Sequence, residues 1–257
     1  MRRMSYENIK LAVADGLATL TLCREPLNVM NIAMMKEMNH ALDSLKGQAV
    51  KVLLIKAEGK AFSAGVDVGE HLGDQVHEMI EVFHGIFRRL ANLGITTVGQ
   101  IQGAALGGGC ELAIACDLVV ASEKAKFAQP EIQVGVFPPI AALLFPRQMG
   151  YKKALELILT GATIKAPEAL ACGMVNQVVP PDQLEEATQA LVGKLMALSG
   201  LLLRLTTKAI LNGLGDDVGK GLAVIEDIYL NELMTTQDAQ EGLTAFLEKR
   251  KPVWQEK

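Results

Sequence analysis

Two short runs with β-branched residues in each arm, IKLAVAD and LATLTLC, flank Gly16 and predict a β-hairpin. Apolar residues then return with a helical period: Met34, Met38, Ala41, Leu42 and Leu45 place one stripe on a helix over residues 32–45. VKVLLIKAEG is apolar without alternation and closes on glycine, the pattern of a strand covered on both faces. A second helix is predicted over residues 75–93, with Met79, Ile80, Phe83, Ile86, Phe87 and Leu90 on its inner stripe. TTVGQIQG then reads as a strand, GGCELAIAC as a short helix and DLVVAS as a strand. Strand and helix alternate through residue 122, which implies a mostly parallel sheet with helical crossovers, an α/β architecture.

From about residue 140 the pattern turns helical: AALLFPRQM, YKKALELILT and PEALACG, then three longer helices over residues 182–249, with VNQVV as the one expected strand. Their apolar stripes have to bury against the first region or against another subunit. The expected division is a core over residues 1–195 and a C-terminal helical region over 196–257.

Composition narrows the class. Half of the 257 residues are hydrophobic and 21% are charged, enough for one large domain or one domain with an appendage. A formal net charge of -4 with no long basic block argues against general binding of nucleic acid or an anionic membrane. No apolar run approaches the ~18 residues of a membrane-spanning helix. The opening MRRMSYENIK has no apolar stretch behind its arginines and does not read as a secretory signal. Cys23, Cys110, Cys116 and Cys172 lack metal-ligand spacing and are expected to be reduced, mostly buried thiols of a cytoplasmic protein.

Candidate chemistry gathers at three places. In LGGGCELAIAC a glycine cluster separates a strand from a helix, a corner where unpaired N–H groups can meet an anion or a developing oxyanion. Neither GxxxxGK[ST] nor GxGxxG is present there. Glu111 sits three residues beyond Gly108 among Cys110, Leu112, Ala113, Ile114 and Ala115. It reads either as a helix-terminus cap or as a buried carboxylate with a raised pKa and a catalytic role. A second glycine turn, KAFSAGVDV, could aim the N–H groups of Ala64, Gly65 and Val66 at the same oxygen, or be a plain loop. In KFAQPEIQVGVFPP, Pro130 holds Gln129 extended. Ile132, Val134, Val136 and Phe137 are expected to surround Glu131, which reads as a second buried carboxylate or as a surface charge. His71, His77 and His84 read as partly exposed helix residues rather than metal ligands, and Lys249, Arg250 and Lys251 as a solvated face or a phosphate contact.

Together KAFSAGVDV, GAALGGGCELAIACDLVVAS, KFAQPEIQVGVFP and FLEKRKPVW closely resemble the crotonase (enoyl-CoA hydratase/isomerase) superfamily, over essentially the whole chain. The resemblance implies a spiral of β-β-α units with a C-terminal helical trimerisation region. It implies an acyl-CoA thioester substrate, and a homo-oligomer that is a trimer or a dimer of trimers. Carried over motif by motif, it puts the oxyanion hole on the backbone N–H groups of Val66 and Gly108. The paired hydratase carboxylates fall on Glu111 and Glu131, and substrate contacts on Ala64, Val66, Asp67, Val68 and Gly108. No metal and no separate cofactor are expected, coenzyme A being part of the substrate. Members that only isomerise, decarboxylate or dehalogenate usually lack one or both carboxylates, so water addition to a conjugated double bond is the expected reaction.

Within that superfamily, EPLNVMNIAMM, VDVGEHLGDQVHEMIEVFHGIFRRL and QPEIQVGVFPPIAALLFPRQMG are similar to the cyclohexa-1,5-diene-1-carbonyl-CoA hydratases of anaerobic benzoyl-CoA degradation. Phe137, Pro138, Pro139, Ile140 and Ala141 stand where ordinary enoyl-CoA hydratases tend to carry PGAGG-type glycines. An ordinary short-chain enoyl-CoA hydratase, an isomerase or decarboxylase, and an RNA-binding member of the superfamily are the alternatives.

Overall fold

In the computed structural model, which describes residues 6–213, 228–233 and 235–257, the expected hairpin is present. Strand β1 (Ile9–Ala14) pairs antiparallel with β2 (Leu17–Leu22) across Asp15 and Gly16, both at the positive φ that such an Asp–Gly turn permits. Helix α1 (Ile32–Ser44) starts where Asn31 accepts the Met34 N–H, and its expected stripe is buried. Strand β3 (Val52–Ala57) precedes α2 (Gln75–Leu93), which stops at Gly94 in the left-handed conformation common at helix C-termini. Then come β4 (Thr96–Ile101), β5 (Ala104–Leu106), α3 (Gly108–Ile114), β6 (Leu118–Ser122) and β7 (Lys126–Ala128). The chain continues through α4 (Pro139–Met149), α5 (Tyr151–Thr160), β8 (Ile164–Lys165), α6 (Ala166–Ala171), β9 (Gln177–Val179), α7 (Leu184–Met196) and α8 (Gly200–Gly213).

Six strands form one sheet in the order β1-β2-β3-β4-β6-β9, parallel except for the β1–β2 hairpin. The unalternated run in β3 has the expected cause. Leu53 and Ile55 pack into the main core with α1 and α2, whereas Val52 and Leu54 face the other side against Val192 of α7. This mixed α/β architecture agrees with the fold class expected from the pattern.

A second sheet, β5-β7-β8, was not expected from the pattern. Its strands, AAL, KFA and IK, are too short to express an alternation, and β8 also adds a strand to the region read as almost all helix. This small sheet positions the site, because β5 runs into the glycine cluster and β7 into Gln129 and Glu131.

The stretch 182–249, expected to hold three longer helices, includes residues 214–227 and 234, outside the described residues. Beyond α8 the described chain holds a π-helical segment, Ile228–Leu233, and helix Gln237–Leu247. Asp238, fully buried, fastens the end of the chain by accepting hydrogen bonds from the Ser199 hydroxyl and from the N–H groups of Gln255 and Glu256. All four cysteines are free; Cys110 and Cys116 are buried as expected, but Cys23 and Cys172 are only half-buried.

Candidate active site

Each glycine of the cluster between β5 and α3 meets a different obstacle. Gly107 adopts φ 52 and ψ -130, a conformation open in practice to glycine alone, and a Cβ there would lie 2.8 Å from Glu131 Oε1. A Cβ on Gly108 would meet Val66 Cγ2 at 2.7 Å and Phe83 Cζ at 2.9 Å, and one on Gly109 would meet the Ser63 carbonyl oxygen at 2.4 Å. The cluster is therefore bare because Glu131, Val66, Phe83 and Ser63 all close on it. Gly65, at φ 108, approaches from the second turn: its Cβ would sit 3.1 Å from Leu106 O and 3.6 Å from Gly108 N. The two glycine corners, distant in sequence, touch.

Of the three N–H groups expected to converge in the second turn, two are already used. Ala64 N–H donates to Leu27 O at 3.0 Å and Gly65 N–H to Ser63 Oγ at 3.2 Å. The parallel bridge between Met30 and Val66 then fixes the next peptide: Met30 N–H donates to Gly65 O at 2.8 Å and Asp67 N–H to Met30 O at 3.0 Å. In a trans peptide the N–H lies opposite the C=O, so the Val66 N–H points away from Met30. Gly108, the first residue of α3, has an N–H without an intrahelical acceptor. Among the described residues neither Val66 N–H nor Gly108 N–H finds a protein acceptor.

Glu111 is 2% exposed and does not cap its own helix. Its Oε1 accepts the N–H groups of Ile140 and Ala141, both at 2.8 Å, in the first turn of α4. Pro139 at the start of α4 has no N–H, and Pro138 before it offers no side-chain acceptor, so Glu111 supplies one from across the core. The reading of Glu111 as a cap of its own helix is therefore corrected: it is a buried carboxylate that serves the start of a different helix, α4. Burial pushes Glu111 up to about 7; the Ala141 N–H pulls against this, the charge of Glu131 adds to it, and the Ile140 N–H opposes it.

Glu131 stands in the 3-10 turn Pro130–Val134, and burial pushes it up to about 7 as well, with its own N–H pulling back. Gln129, fully buried, donates its side-chain NH2 to Oε1 and Oε2 of Glu131 at 3.1 Å in the orientation that satisfies both ends of the amide. The apolar neighbours in sequence do not surround Glu131. The turn, ending at Gly135 with φ 86, swings Val134 (63% exposed) and Phe137 (66% exposed) outward, and Ile132 and Val136 are exposed too. The residues that meet this carboxylate include Gly107 and Gln129.

The structure thus brings Glu111, Glu131, Val66 and Gly108 together. Ala64 sits in the same turn with its N–H engaged. Asp67 caps the next turn by accepting the Gly69 N–H at 2.9 Å, and Val68 is exposed at the rim. Gln129, Phe83 and the N–H groups of Ile140 and Ala141 all lie within stretches singled out in the sequence, but none was expected to act at the site. His77 is exposed and His71 and His84 are half-buried, and among the described residues no group of three or more His, Cys, Asp or Glu side chains is placed to hold a metal ion. Arg250 is engaged by Glu241 at 2.6 and 2.8 Å and by Glu248.

Comparison with known proteins gives the family and the fold. The family described as "Enoyl-CoA hydratase/isomerase" matches residues 12–257. A probable enoyl-CoA hydratase of Rhizobium meliloti (strain 1021) is 36% identical over 252 residues, covering 96% of this chain and 98% of the relative. A cyclohexa-1,5-dienecarbonyl-CoA hydratase of Thauera aromatica is 36% identical over 243 residues, covering 94% of each. The crystal structure of an enoyl-CoA hydratase from Bacillus anthracis superposes with a TM-score of 0.92 at 31% identity, covering 98% of this chain and 100% of that one.

Proposed function

The chain belongs to the enoyl-CoA hydratase/isomerase family and acts as an enoyl-CoA hydratase, and on that premise we propose that its substrate is a cyclic conjugated dienoyl thioester, cyclohexa-1,5-diene-1-carbonyl-CoA. The hydratase reading rests on one observation: two carboxyls raised to about 7 border a corner with two unengaged main-chain donors, Val66 N–H and Gly108 N–H. The donors take the thioester oxygen and hold the charge that develops there. The two carboxyl groups share one proton, because close like charges seldom ionise together. Glu111, with two backbone N–H donors at 2.8 Å on one oxygen that favour its charged form, takes the proton of water. Glu131, held by the single Gln129 amide, delivers the proton to carbon.

On the ring, the water oxygen bonds to the carbon β to the thioester, and that double bond's electron pair moves toward the thioester oxygen as a dienolate. The dienolate takes its proton at the far end of the diene. The remaining double bond moves into conjugation, giving 6-hydroxycyclohex-1-ene-1-carbonyl-CoA. The stiff Phe137-Pro138-Pro139 segment, tied to Glu111 through the next two residues, supports a ring over a flexible chain, as does the similarity to the Thauera aromatica hydratase. The same reading makes the protein a homo-oligomer, a trimer or a dimer of trimers. Equal identity to the Rhizobium meliloti relative favours a second reading, an ordinary short-chain hydratase. The two separate on turnover of crotonyl-CoA against the cyclic dienoyl-CoA in deuterated water. The proposal expects the ring to be preferred at least tenfold, with deuterium at the far diene carbon. Preference for crotonyl-CoA overturns it.

A further inference from the structure

The two main-chain donors are carried by separate segments, and one side chain lies where those segments join. Ser63 is fully buried and tied to β5 by main-chain bonds: its N–H donates to Ala104 O at 3.1 Å and its carbonyl accepts Leu106 N–H at 3.0 Å. These bonds set the segment that leads into Gly108. Its hydroxyl serves the other segment, donating to Asn28 O at 2.7 Å and accepting Gly65 N–H at 3.2 Å. The peptide following Gly65 carries the Val66 N–H, so the hydroxyl acts one peptide away from the first donor and the main chain of the same residue two peptides away from the second.

Asn28 is built to hold that hydroxyl. It lies in the left-handed region at φ 52 and is 2% exposed. Its side chain accepts Arg24 N–H at 2.9 Å and donates to Glu58 O at 2.9 Å and Ala61 O at 3.0 Å. The side-chain amide thus ties together the two ends of the loop after β3, while the main-chain carbonyl of Asn28 faces Ser63. A hydroxyl wanted only for burial needs one partner; this one has two, Asn28 O and Gly65 N–H, both on the side of the first donor, while the main chain of the same residue holds the side of the second.

We infer that Ser63, oriented by Asn28, is a positioning residue for the oxyanion donors: its hydroxyl sets the plane of the Gly65–Val66 peptide relative to Gly108. The inference rests on the hydratase reading above, since it concerns the same two N–H groups.

The experiment compares Ser63→Ala with Ser63→Cys and with Thr188→Ala, a control that removes another fully buried hydroxyl, bonded to Leu184 O at 2.8 Å in α7. Three quantities are read: thermal midpoint, the split between kcat and KM on an enoyl-CoA the wild type turns over, and the red shift of a bound arylacryloyl-CoA whose absorption reports polarisation of its carbonyl. The expected result for Ser63→Ala is a kcat about 10- to 100-fold lower, a KM changed less than about threefold and a diminished red shift. Ser63→Cys, keeping a weak donor and acceptor, recovers part of both, and Thr188→Ala leaves both unchanged while lowering the midpoint. An undiminished red shift in Ser63→Ala, or equal kcat losses in Ser63→Ala and Thr188→Ala, overturns the inference. Should Ser63→Ala not fold, a wild-type red shift in Ser63→Cys overturns it and an intermediate one supports it. A wild-type protein that neither polarises nor hydrates any enoyl-CoA would instead remove the hydratase reading.

Discussion

The glycine corner and the wall opposite it are built on different principles. The corner, residues 63–66 against 105–109, is made of main chain: small residues, a parallel bridge, and bonds that engage most of its N–H groups but not those of Val66 and Gly108. The wall, residues 131–143, rests on a 3-10 turn and the first turn of α4 and presents exposed side chains, Phe137, Val134 and Leu143 among them. Glu111 and Glu131 stand between the two. Main-chain donors cannot be altered by a side-chain substitution unless a neighbour moves, so a corner of this kind preserves one electrostatic task. A wall of exposed side chains can change size and shape at small cost to the fold. The difference predicts that charge on the thioester oxygen is held by backbone geometry and that the choice of acyl group rests with side chains of the wall.

Gly108→Ala strikes the corner. Its methyl would meet Val66 and Phe83 below 3 Å, pushing the two donor segments apart. The expected loss is roughly 10²–10³ in kcat, about 2.7–4 kcal/mol of barrier, measured by steady-state hydration on the preferred substrate. Unchanged kcat would mean that the corner does not hold the thioester.

The carboxylates between the regions give a pH signature. Both have folded-state pKa values raised from 4.5 to about 7, so the folded chain binds protons more tightly than the unfolded one. The stability they contribute is fully present below about pH 4.5 and is lost as the pH rises through about 7, by up to about 3 kcal/mol for Glu111. Denaturant midpoints of the wild type should fall between pH 5 and pH 8. Glu111→Gln should flatten that slope while keeping an acceptor for Ile140 and Ala141. Parallel slopes in the two proteins would contradict the buried, raised carboxyl.

Phe137→Ala strikes the wall. With the side chain 66% exposed, stability should stay within about 0.5 kcal/mol, while the ratio of kcat/KM for cyclic over linear enoyl-CoA falls about tenfold. An equal loss on both substrates would move Phe137 from selectivity to catalysis.

The corner was far more legible in the sequence than the wall. Its signals are local: strand, glycines and helix follow one another, and α1, α2 and β3 declare themselves by period over many residues. The small sheet escaped because strands of two or three residues carry no period, though it is what aims β5 and β7 at the site. The partners of the site residues escaped because they are remote in sequence: Ser63 and Asn28 are 35 residues apart, Glu111 and Ile140 are 29 apart. Around Glu131 apolar neighbours suggested a greasy enclosure. A 3-10 turn does not keep sequence neighbours on one face, so Val134 and Phe137 turned outward and Gly107 and Gln129 meet the carboxylate instead.

The central claim is that Glu111 and Glu131 act as one acid–base pair in a single addition of water, and a double-mutant cycle tests it most directly. Glu111→Gln, Glu131→Gln and the double variant are compared for kcat of hydration, with folding verified by melting. Each single change should cost about 10²–10⁴, and the double variant should be no more than about threefold slower than the worse single one, because groups acting as a unit lose their effect together. Losses that multiply, or full hydration with either glutamate replaced, would contradict the claim.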